Sequence, residues 1–171
     1  MRDRTTEDST TQAPDPFKRP FLATHLALAA SQREYARLSA ALVQRAKALR
    51  ADGVDADPEV RQSPQRCIVQ LGPVAATIAW LPSAESVADG QLLVVVWRGT
   101  VARAGAQQQF ERPTARPVAA ATSVWECSYS PCAESEATWS WQPQLDEAPR
   151  CSSAELAARC AAELHRAYLA A

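Results

Sequence analysis

The chain has 171 residues, with 18 basic against 19 acidic side chains and a formal net charge of −1. At 47% apolar and 22% charged residues it has the make-up of one folded domain, long enough to bury its own core without a metal or disulfide staple. The balance argues against wholesale disorder and against a broadly basic polyanion binder. Only 5 glycines are present, and neither G-x-G-x-x-G nor G-x-x-x-x-G-K-[ST] occurs.

Residues 1–14 are polar and charged, without apolar periodicity or the apolar stretch of a secretory signal, and read as a disordered tail. From Phe21 to Ala51 the sequence contains neither Gly nor Pro, which predicts a helix over about 20–51. Asp52-Gly53 ends it, with Gly53 as a left-handed cap. Phe21, Leu28, Tyr35, Leu42 and Leu49 recur every seven residues along it. A helix of about 30 residues is about 45 Å long. A sheet of eight-residue strands is only about 26 Å deep. Such a helix must kink, overhang or meet a partner chain. Thr24, Ser31 and Arg45 at the alternate heptad positions disfavour a true coiled coil.

Residues 54–65 are acidic and polar, contain Pro58 and Pro64, and read as a loop. Cys67 to Leu71 and Val74 to Leu81 are β-type runs joined by Gly72-Pro73. Gln91 to Val101 is the clearest strand, apolar on both faces: Leu92, Val94 and Val96 on one, Leu93, Val95 and Trp97 on the other. A long connection over 102–121 follows. Ser123 to Tyr129 and Thr138 to Gln142 pair naturally as a hairpin. Ser152 and Glu155 form a capping box that opens a helix over about 153–170, with Leu156, Cys160, Leu164 and Ala167 as its apolar stripe. The expected class is α+β, in one domain over 15–171. It comprises the long N-terminal helix, an antiparallel sheet of four to five strands within about 66–142, and the C-terminal helix.

Candidate sites are few. Trp125, Tyr129, Trp139 and Trp141 form an aromatic set that can stack bases or cover the core, and burial is the commoner fate of four large rings. Arg98, Arg103, Arg112 and Arg116 face a single acid, Glu111, along the long connection. Planar guanidinium groups suit phosphate or carboxylate partners, although 16 of the 18 basic residues are Arg, since Lys18 and Lys47 are the only lysines. Cys127 and Cys132 have a permissible but unspecific metal spacing, so no metal or other cofactor is expected. An odd set of five cysteines without a signal peptide points away from a disulfide framework. No hydrolase, metalloprotease or kinase motif is present, so no catalytic residue is named.

The expectation is a soluble, cytoplasmic, non-catalytic binding or assembly module. It would bind a protein partner or a second copy, with self-association through Phe21, Leu28, Tyr35, Leu42 and Leu49 of the long helix. Single-stranded nucleic-acid binding through the sheet aromatics and loop arginines is the first alternative, opposed by the near-zero net charge. An enzyme of unrecognised type is the second. No membrane partner is expected.

Overall fold

The computed structural model describes residues 21–101, 120–135, 137–145 and 148–171. Helix α1 (His25–Ala48) is capped by Thr24, whose side chain accepts a hydrogen bond from the Ala27 amide. It therefore starts about five residues later than the sequence suggests. Thr24 is a better cap than interior residue, and the helical register restarts there. A 3-10 turn (Leu49–Asp52) follows and ends on Gly53 at φ +89°, the left-handed stop expected from Asp52-Gly53.

Six strands come next: β1 (Glu59–Ser63), β2 (Arg66–Leu71), β3 (Val74–Leu81), β4 (Gln91–Arg98), β5 (Thr122–Ala133) and β6 (Trp139–Pro143). Helix α2 (Ser153–Leu169) closes the chain. The sheet is an antiparallel meander in the order β1-β2-β3-β4-β5-β6. The class is α+β as expected, with one strand more than the expected four to five. The extra strand is β1, which falls in the stretch read as a loop. Its burial is nearly nil apart from Val60, so it carries none of the alternation by which strands are recognised. The tail 1–14 and nearly all of the 102–121 connection lie outside the described residues.

Alternation along the strands sorts the sheet into two faces. Val69, Leu71, Val74, Ile78, Trp80, Leu92, Val94 and Tyr129 join one core with Leu38, Leu42, Leu156 and Leu164 of the helices. Both helices therefore lie on the same face, packed against each other and the sheet. The opposite face of β4, expected to be covered equally, keeps Val95 buried but leaves Leu93 and Trp97 half-buried. There the Trp97 indole donates to Thr77 Oγ1 at 3.1 Å. The Gln70 amide on the same face holds the carbonyls of Gly72, Val74 and Gly99 and accepts from the Val101 amide.

The helix–sheet length mismatch is smaller than the sequence suggests. At 24 residues, α1 is about 36 Å long. The chain enters α1 beside β6, where Phe21 packs against Trp139 with ring centroids 6.5 Å apart. By positions 32–40 the helix borders the end of β1. Both contacts lie at the same end of the strands, so from Phe21 to the groove the chain runs across the strand ends from the β6 side to the β1 side.

Candidate functional site

Of the aromatic set, Tyr129, Trp139 and Trp141 are buried beneath the helices. Trp141 meets Trp80 edge-on at 5.8 Å. Trp125 is half-buried under the Arg159 guanidinium, 5.6 Å from the ring centroid. The register pairs Trp141 with Pro131 and Trp139 with Ala133, well along β5 from Trp125, so the four rings do not form one aromatic surface. Arg98 is exposed and its guanidinium reaches the Ala170 carbonyl at 3.4 Å. Arg103, Arg112 and Arg116 lie outside the described residues. Of the seven-residue stripe on the first helix, Tyr35, Leu42 and Leu49 are buried in the core, and Phe21 and Leu28 pack against it half-buried. Among the described residues no three His, Cys, Asp or Glu side chains converge as metal ligands, and no helix is long and apolar enough to cross a membrane.

The structure instead opens a groove of about 320 Å³ between the middle of α1 and the turn end of β1. Gln32, Tyr35, Ala36, Ser39 and Ala40 come from α1, at the i, i+3, i+4, i+7, i+8 spacing of one helix flank. Gln62, Ser63 and Pro64 come from the β1–β2 hairpin. A two-residue turn sets Ser63 opposite Arg66 and Gln62 opposite Cys67. Gln62 therefore shares the helix-side face with Cys67, and its amide donates to the Cys67 Sγ at 3.7 Å.

Among the described residues no charged side chain lines the groove. Tyr35 is 3% exposed and its hydroxyl donates to the Ile78 carbonyl at 3.2 Å. Burial pushes its pKa up to about 12, only partly opposed by Ser39, whose hydroxyl would donate to the phenolate. Burial likewise raises the Cys67 thiol, against the pull of the Gln62 amide. Ser39 is 5% exposed; its enclosed hydroxyl lies beside the Tyr35 hydroxyl and has no other hydrogen-bond partner among the described residues. Neutral donors and acceptors can hold an uncharged hydrogen-bonding group.

β1 bounds the groove and, among the described residues, is an outer edge of the sheet. Its register with β2 makes Glu59, Arg61 and Ser63 the residues that exchange backbone bonds with Gln70, Ile68 and Arg66. The N–H and C=O groups of Val60 and Gln62 then point away from the sheet, and no described residue meets them. Sequence reading missed Ser39, Gln62 and the whole strand. The available signal was Pro58 and Pro64 bracketing Val60, since proline is confined to edge positions in sheets.

No protein-family model, curated protein or solved structure matches the chain.

Proposed function

We propose that this chain is a small non-catalytic binding module whose partner surface is the free β1 edge together with the groove beside it. The observation that carries the reading is the outer backbone of β1, unpaired among the described residues, next to a groove of about 320 Å³ with a neutral polar lining. Volumes of this order hold a side chain or a small ligand. The chemistry of the lining supports holding over reaction. Tyr35 and Cys67 both have their ionisation pushed upward, so neither supplies a base or a thiolate nucleophile near neutral pH. Five cysteines in the free thiol form support a reducing, cytoplasm-like compartment for this work.

The test uses the full chain immobilised against a displayed library of random twelve-residue peptides, with Ala36→Trp as the comparison. Ala36 is exposed and lines the groove, so tryptophan fills the space without touching the core. Binders that share a pattern and lose affinity for Ala36→Trp are expected. Failure to select any binder, or binders indifferent to Ala36→Trp, overturns the reading.

A further inference from the structure

We infer that the occupant of this site is an extended peptide segment that adds to the sheet as a seventh strand beside β1, with an acidic residue opposite Arg61 and an uncharged polar residue in the groove. The inference rests on the binding-module reading above and names its substrate.

The register dictates the geometry. Only Val60 and Gln62 offer outward backbone groups, two N–H and two C=O in all. An antiparallel strand that uses all four is centred on Arg61. Its central residue sits opposite Arg61, and the residues on either side exchange bonds with Val60 and Gln62. Side chains alternate, so the two flanking residues fall on the helix side of the sheet. The one opposite Gln62 enters the groove, whose lining of Gln32, Gln62, Ser63 and Tyr35 is neutral and polar. The one opposite Val60 meets a half-buried apolar side chain.

On the other face the central residue meets cations. Arg61 pairs with Ile68 and Arg66 with Ser63, which puts the two exposed guanidinium groups diagonally on the face away from the helices. Neither forms an ion pair among the described residues. Glu59 lies two residues along the same face and does not pair with them. A carboxylate opposite Arg61 therefore completes the site.

The same geometry argues against a second copy of this chain. Two-fold pairing of β1 with β1 through all four outward groups places Arg61 directly opposite Arg61, at a non-hydrogen-bonded position where side chains are closest. Like charges directly opposite destabilise a strand pair. The free edge thus selects against itself and for an acidic foreign strand.

The probe is the fluorescein-labelled peptide acetyl-Thr-Thr-Ser-Glu-Val-Thr-Thr-amide, titrated into the full chain at low salt and followed by anisotropy. Saturable binding is expected. Methylating the peptide Ser and Val nitrogens removes two strand bonds and should weaken it about tenfold or more. Replacing the peptide Glu by Lys should weaken it, and Arg61→Glu should reverse that preference. Gln62→Pro removes one outward N–H at a position where an edge strand tolerates proline, and should weaken binding with the fold intact by circular dichroism.

No binding of the probe at millimolar concentration overturns the strand inference, while the library selection independently judges the groove. Binding lost in Ala36→Trp but indifferent to N-methylation and to Gln62→Pro keeps the groove reading and overturns strand addition. A concentration-dependent dimer dissolved by Gln62→Pro assigns the edge to a second copy and overturns the choice of partner.

Discussion

β1 and β6 are the two outer strands of one sheet, and they are finished differently. On the β6 side, Trp141 exchanges backbone bonds with Cys151 at 2.8 and 3.0 Å, so the strand has a partner on its outer edge. The Trp141 indole donates to Ser153 Oγ at 2.9 Å, Ser153 donates to the Glu34 carboxylate at 2.5 Å, and Arg37 pairs with the other Glu34 oxygen at 3.1 Å. This chain ties β6, the start of α2 and α1 together, and it leaves a buried carboxylate fully engaged. On the β1 side Ser39, five residues after Glu34 on the same helix, has only the Tyr35 hydroxyl beside it among the described residues. A closed polar network ties β6 to both helices, although Ser140 Oγ on β6 also lacks a partner among the described residues. What sets β1 apart is its outer backbone, unpaired among the described residues, which leaves capacity for a partner.

The contrast can be broken by mutation and by pH, and the largest effects belong to the shared interior. Alkali should unfold the protein between about pH 9 and 12. Burial pushes Cys160 up to about 12, takes Tyr35 to the same value and raises Tyr129 further. Each group keeps its proton longer in the folded chain than in the unfolded one. Stability is therefore full below the unfolded pKa and falls as pH rises towards the folded value. Circular dichroism against pH should show a cooperative loss starting above about pH 9. A flat response to pH 12 would mean these side chains are more exposed than the structure shows.

Trp141→Ala, at the sealed edge, should cost about 4 kcal/mol in urea unfolding through the cavity and the lost indole hydrogen bond to Ser153. Gln62→Ala at the open edge should change stability by less than about 0.5 kcal/mol. Comparable losses would show that β1 contributes as much to the fold as β6.

The pair on α1 sharpens the point. Glu34→Ala should cost about 2 kcal/mol by stranding Ser153. At the N-terminus of α2, Ser152→Ala should cost about 1 kcal/mol by deleting the cap. The Glu155 carboxyl of that cap is held below its usual range, chiefly by the Ser152 backbone N–H and also by its hydroxyl. Its contribution is present above the ordinary carboxylate range and fades as pH falls, so wild type and Ser152→Ala should converge in acid.

The smallest effect is the most telling. Ser39→Ala should leave stability unchanged or slightly raised, since it removes an enclosed hydroxyl and improves helix propensity. A loss approaching that of Glu34→Ala would mean that the Ser39 hydroxyl is bonded as firmly as the Glu34 carboxylate.

How far the sequence foretold this follows from where side chains are buried. β3 and β4 were legible as short continuous apolar runs rich in β-type residues, and α2 because its apolar positions repeat at period 3.6 and Ser152 and Glu155 form the cap that their spacing implies. β1 was illegible because an outer strand buries little: only Val60 of its five residues is even half-buried. Tyr35 was legible as core but not as the wall of a groove. That role depends on the hairpin register that brings Gln62 beside Cys67, a non-local fact. Ser39 carries no distinguishing sequence signal within the alanine-rich helix, and its enclosure is a property of packing alone.

The most direct test of the two-edge account is residue-resolved amide hydrogen exchange on the full chain. The Val60 and Gln62 amides should exchange at nearly the unprotected rate, while Arg61, Trp141 and Cys151 should be protected. Protection of Val60 and Gln62 matching that of Arg61 would show the β1 edge already occupied, and would contradict the account.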